Sequence, residues 1–116
     1  MDRLRDYRSI IQRILAEHLE NAPPEEDVET VSINDEAGEH YLLLEMGWQP
    51  PRRIYNVVFH LRLKEGKIWV EQDWTEYGIA RELIEAGIPA ESIELSFQPP
   101  EMRPYIEWST PAGGRR

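Results

Sequence analysis

The sequence predicts an α+β fold: an N-terminal helix, an antiparallel meander of about four strands, a second helix and a short C-terminal strand. Three observations carry that prediction. Apolar residues recur at three- and four-residue spacing as far as Glu20. From Thr30 to Asp73 they alternate with polar ones instead, in segments interrupted by Asn, Asp, Gly and Pro. A short helical pattern then returns and stops at Gly87.

Leu4, Tyr7, Ile10, Ile11, Ile14, Leu15 and Leu19 form one apolar stripe on a helix from about Asp2 to Glu20, which Pro23-Pro24 prevents from continuing. Val31 and Ile33 alternate with Thr30 and Ser32 in a first strand, which ends in the turn-forming run Asn34 to Gly38. The second strand, His40 to Trp48, places Leu42, Leu44, Met46 and Trp48 on one face and Tyr41, Leu43 and Glu45 on the other, the pattern of a central strand. After Pro50-Pro51 a long third strand puts Tyr55, Val57, Phe59, Leu61 and Leu63 on one side and Asn56, Val58, His60 and Arg62 on the wetter one. The short Lys64–Lys67 turn makes the strand Ile68–Asp73 its antiparallel neighbour. Thr75 is the expected N-cap of the second helix, with Glu76 in its first turn and Ile79, Ala80, Leu83 and Ile84 buried. Gly78 would weaken that helix unless another backbone or ring approaches it closely. Ile93, Leu95 and Phe97 alternate in the last strand.

With 116 residues the chain is expected to form a single domain, 1–116, with a poorly ordered tail over about 106–116. No apolar run approaches the roughly 20 residues of a membrane span, and the charged N-terminus is unlike a signal peptide, so a cytoplasmic protein is expected. The absence of cysteine excludes disulfides, thiolate ligands and a cysteine nucleophile. Thirteen basic against 22 acidic residues give a net charge of −9, the wrong sign for general DNA binding. No Lys or Arg occurs between Arg13 and Arg52. Arg52, Arg53, Arg62, Lys64 and Lys67 then offer one local positive patch for DNA, although a solvated hairpin is the plainer reading.

The strand-to-helix junction GKIWVEQDWTEYG is the place to look for a site. Glu71 and Asp73 point to one side of a strand, where paired carboxylates share a proton or hold a metal, but a third ligand is not visible. His18, His40 and His60 lie far apart with no ligand spacing, the serines lack a nucleophile context, and Glu65-Gly66-Lys67 lacks the upstream Asp of a nuclease motif. No catalytic residue, metal ligand or cofactor is therefore expected. Trp48 and Trp69 read as core; Trp74 and Trp108, flanked by polar residues, are equally suited to an interface.

The segments YRSIIQRILAEH, HYLLLEMGWQ, RRIYNVVFHLRLKEGKIWVEQDWTE and IARELIEAGIPAESIELSFQPP, followed by Arg103, resemble in order and spacing the XisI-like family, the fdxN element excision controlling factors. The likeness is most specific at Gly47-Trp48, GKIW, TE, GIP and the Ile93–Phe97 strand, and weakens over Ala22–Asp35 and after Tyr105. It implies a non-enzymatic accessory factor that acts alongside a nuclease-like companion, XisH, in control of DNA element excision. The family transfers no catalytic residue. From the residues themselves, Glu71, Asp73, Trp74, Glu76 and Tyr77 are the expected partner-binding rim, since aromatics anchor and carboxylates steer a basic surface. An acidic protein also suits an inhibitor or antidote that covers a basic DNA-binding cleft. A homodimer is expected, because two helices leave sheet surface such as Tyr55, Phe59 or Trp74 in need of a cover.

Overall fold

The computed structural model describes residues 3–99, with side chains from Asp6 onward. Leu4, Arg103, Trp108 and the tail over 106–116 lie outside the described side chains. Helix α1 (Arg3–Glu20) leads into β1 (Val28–Asp35), β2 (His40–Gln49), β3 (Arg52–Lys64) and β4 (Lys67–Asp73). Helix α2 (Ile79–Glu85) and a one-turn helix (Ala90–Ser92) precede β5 (Ile93–Leu95). The sheet has the order β1-β2-β3-β4-β5. Its first four strands form the expected antiparallel meander, with β3 rather than β2 at the centre. The last strand departs from it: β5 runs parallel to β4, because α2 returns the chain to the end of the sheet where β4 began. Phe97 lies beyond β5 in a turn and is exposed. Among the described residues no helix is long and apolar enough to cross a membrane.

Both helices pack on one face of the sheet. Tyr7, Ile11, Ile14 and Leu15 of α1 and Ile79, Ala80 and Leu83 of α2 share a single core with Tyr41, Leu43, Phe59, Leu61, Leu63, Ile68 and Val70. Leu19, the last position of the predicted stripe, is exposed. The core is tied to the polar surface at two places. Tyr7 donates its hydroxyl hydrogen to the buried Ser92 Oγ at 3.0 Å, which joins α1 to the approach to β5. Arg8 pairs with Glu39, and the Tyr41 hydroxyl donates to Glu39 Oε1 at 2.6 Å. The Arg8 guanidinium holds the Glu39 carboxyl below its usual range, while burial and then Glu39 push the Tyr41 phenol up to about 12.

Two bulges overturn the face assignments that alternation predicts. Leu43 pairs with Phe59, but the next residue, Leu44, pairs with Val57, so Val58 is an extra residue on β3. Beyond that bulge every side chain changes face. Phe59, Leu61 and Leu63 enter the core, whereas Tyr55 and Val57 join Leu42, Leu44 and Met46 on the opposite face, left uncovered by both helices. Phe59 is fully buried and so is not part of the surface that needs a cover. A second bulge follows from Leu61 pairing with Val70 and His60 with Gln72, which leaves Glu71 as the extra residue on β4. Trp48 is 51% exposed on the uncovered face, a correction to its reading as core. Trp69 is half-buried and donates its indole N–H to the Lys64 carbonyl.

Candidate functional site

The junction from β4 to α2 is built differently from the expected cap. Helix α2 starts only at Ile79, and its N-cap is Gly78 at φ 102°, without a side-chain cap. Asp73 supplies what Thr75 was expected to supply. One carboxylate oxygen accepts from the Thr75 N–H at 2.9 Å and the Thr75 hydroxyl at 2.6 Å. The other accepts from the Ile79 N–H at 2.9 Å, one of the donors that a helix start leaves without a partner. Thr75 Oγ1 in turn accepts from the Gly78 N–H at 3.1 Å. Gly78 is therefore outside the helix. A Cβ there would meet nothing closer than Arg81 Cβ at 3.9 Å, so positive φ, and not close approach, explains the glycine.

The two carboxylates do not converge. Glu71 shares the uncovered face with Trp69 and Arg62, where its Oε2 accepts from Arg62 at 3.4 Å and from Ser96 Oγ at 3.0 Å, and the bulge turns Asp73 the other way. Asp73, paired opposite the buried Phe59, is on the helix side. Because Asp73 holds the whole turn, Asp73→Ala is expected to destabilise the protein by about 1–2 kcal/mol, the loss typical of a helix-start acceptor. Urea denaturation checks this; a midpoint equal to wild type would show that the turn holds without the carboxylate.

Two concavities adjoin at the junction and share Glu45 and Val58. On its helix side a groove of about 510 Å³ has a floor of Leu43, Val58 and Ala22 beneath Glu17, Glu45, Glu82 and Tyr77, with no Lys or Arg in its lining. His18 Nε2 lies 3.0 Å from both Glu82 oxygens and its ring meets Phe59 edge-on, so the pair bridges α1 and α2 over this groove. Next to it a notch of about 530 Å³ adds Tyr55, Asn56, Val57, Gln72 and Trp74 to the shared Glu45 and Val58. Of the predicted rim, Trp74 (75% exposed), Glu76 and Tyr77 (46%) are at the surface, while Glu71 and Asp73 are half-buried. Tyr77 also hydrogen-bonds Glu85.

The predicted cations are divided. Arg52 and Arg53 start β3, and Arg62, Lys64 and Lys67 flank its far end, so nine residue steps of strand from Arg53 to Arg62, about 30 Å, separate the groups. Arg62 is paired with Glu71 and Lys67 with Glu94 at 2.7 Å, and Lys64 stacks over Trp69. Arg53 donates to the Gly47 carbonyl and lies over the rings of Trp48 and Tyr55. They do not merge into one positive patch.

One cluster escapes sequence spacing altogether. The β2–β3 pairing brings His40 Nδ1 to 2.9 Å from His60 Nε2, although twenty residues separate them. Burial, and then His40, hold the His60 imidazolium pKa below its ordinary value. Two ordered strands of suitable length were the only available signal. Among the described residues, no three His, Asp or Glu side chains are grouped to hold a metal ion.

The sequence matches the family described as XisI protein over residues 1–110. The chain belongs to the XisI family. A XisI-like protein of Anabaena variabilis ATCC 29413 superposes with a TM-score of 0.85 at 35% identity, over 90% of this chain and 96% of the other. The fdxN element excision controlling factor XisI of the same organism superposes with a TM-score of 0.73 at 38% identity, over 88% and 99%. No curated protein matches the chain. The geometry gives the XisI motifs a physical meaning. In GW, Gly47 admits the β1 backbone; in TE, Thr75 orders the turn into α2; in GIP, Gly87 at φ 107° ends α2.

Proposed function

We propose that this chain is a regulatory factor in control of DNA element excision, without catalytic activity of its own, that acts by binding a nuclease-like partner of the XisH type. Family membership and the likeness to the Anabaena XisI, an fdxN element excision controlling factor, support the regulatory part. The observation that carries the partner reading is the groove beside the junction. Its apolar floor, three glutamates and bordering Tyr77 suit a basic, partly apolar surface, and Glu76 lies exposed nearby. The same chemistry suits occlusion of a cationic DNA-binding cleft, which makes the factor an inhibitor or antidote of its partner. Trp74 faces the notch, Glu71 is held by Arg62 and Ser96, and Asp73 serves the junction.

The test is the affinity for a co-expressed XisH-type partner, measured for wild type, Tyr77→Ala and Glu17→Lys/Glu76→Lys. Tyr77→Ala is expected to weaken binding roughly tenfold, about 1.4 kcal/mol, as for an interface aromatic. The charge reversal is expected to slow association at low salt and to matter less once the Debye length falls to about 8 Å. Correctly folded variants that keep wild-type affinity at low and high salt would refute the groove as the interface. The isolated protein is expected to leave duplex DNA unbound at physiological salt, since its net charge is −9, its five candidate cations are divided, and Arg62 and Lys67 are paired with glutamates.

A further inference from the structure

Strand β3 outruns its neighbour. It pairs with β2 from Arg52 to Arg62, but its pairing with β4 stops at Phe59 opposite Asp73. The Trp74 N–H closes the ladder on the Val58 carbonyl at 2.8 Å, and Gln72 Nε2 donates to the Val57 carbonyl at 2.8 Å. From Arg52 to Asn56, β3 therefore has a strand on one side only among the described residues. Open edges invite pairing with another chain, and natural sheets protect them with charges, prolines or brevity. The two outer edges follow that rule: β1 carries Glu29 and Asp35, and β5 has three residues. The overhang follows it only at its start, where Arg52 and Arg53 lie. Arg52-Arg53-Ile54-Tyr55-Asn56-Val57 contains no acid and no proline, and its charges are confined to one end.

We propose that this overhang is a dimerisation edge, covered by the same segment of a second copy, so that β3 pairs antiparallel with β3 across a twofold axis. The incoming strand occupies the lane that β4 leaves at Asp73. The occupant follows from complementarity. Antiparallel self-pairing lays the Arg52 end of each copy beside the other's Val57 end, where the notch presents Glu45 and the 75% exposed Trp74 and has no cation in its lining. One segment thus supplies both halves of the contact, the condition for an isologous interface. Tyr55, 61% exposed with Arg53 over its ring, flanks the axis. This reading goes beyond the partner groove, which shares only Glu45 and Val58 with the notch.

The chain has no cysteine, so single cysteines report the geometry without background. Opposed residues of an antiparallel pair have Cα atoms about 4.5–5.5 Å apart, within the range a disulfide bridges. Full-length protein is expected to be a dimer in sedimentation. Under oxidation, at least one of Ile54→Cys, Tyr55→Cys and Asn56→Cys is expected to cross-link several-fold more than Ile33→Cys on the uncovered face or Glu17→Cys in the groove. Trp74→Glu, at an exposed site, is expected to yield a folded monomer. A concentration-independent wild-type monomer overturns the proposal. So does a dimer that cross-links through Ile33→Cys or Glu17→Cys and at none of the three overhang positions.

Discussion

Gly47→Ala is expected to destabilise the protein by about 2–5 kcal/mol, one of the largest losses available to a single methyl group. Gly47 has φ 153° and pairs with Val28 on one side and Ile54 on the other. A Cβ at this position would lie 1.9 Å from the Asp27 carbonyl oxygen and 2.7 Å from Val28 Cα. Both are backbone atoms, so no rotamer change relieves the clash. The same Asp27 carbonyl accepts from the Trp48 N–H at 2.9 Å, which means that moving β1 away also breaks a ladder bond. Overpacking contributes about 1–3 kcal/mol and the unfavourable backbone conformation a similar amount. Gly66→Ala is the control: its φ is 75°, but nothing lies within 4 Å of the added methyl. Only the backbone term, about 1–2 kcal/mol, applies there. Urea denaturation of both variants decides the matter. Equal losses would mean that the close approach of β1 contributes nothing.

Leu83→Ala is expected to remove about 2–5 kcal/mol, whereas Trp48→Ala, which deletes a far larger side chain, is expected to remove about 1 kcal/mol or less. Leu83 is fully buried where α2 joins the common core, and truncation leaves a cavity that two helices and a sheet cannot close. Trp48 is half in solvent, and its main partner is the Arg53 guanidinium, 5.8 Å from the ring centroid. In thermal unfolding the difference is expected to appear as a loss of roughly 10 °C or more for Leu83→Ala and a few degrees for Trp48→Ala. A Trp48→Ala variant that loses as much as Leu83→Ala would place Trp48 in the load of the fold, through a dimer contact if the loss depends on protein concentration.

Whatever depended on neighbours along the chain could be read before folding was considered. The α1 stripe is a three- and four-residue rhythm, and Tyr7, Ile11, Ile14 and Leu15 are buried as that rhythm requires. The four-strand meander follows from alternation and short loops, and the Lys64–Lys67 turn has Glu65 and Gly66 both at positive φ, as a tight hairpin demands. The family likeness, too, rests on ordered local segments.

What escaped was decided across the sheet. Alternation assigns Tyr55 and Val57 to the side of Phe59 because a period of two assumes an unbroken ladder; one extra residue at Val58 reverses that assignment for everything before it. The second bulge separates Glu71 from Asp73 in the same way and leaves one on Arg62 and Ser96 and the other at the start of α2. A bulge depends on which opposing residues pack best, and no spacing within one strand records it. The meeting of His40 with His60 and the parallel entry of β5 have the same origin. Each is a relation between residues distant in sequence, set by strand register and by the single core that both helices must cover.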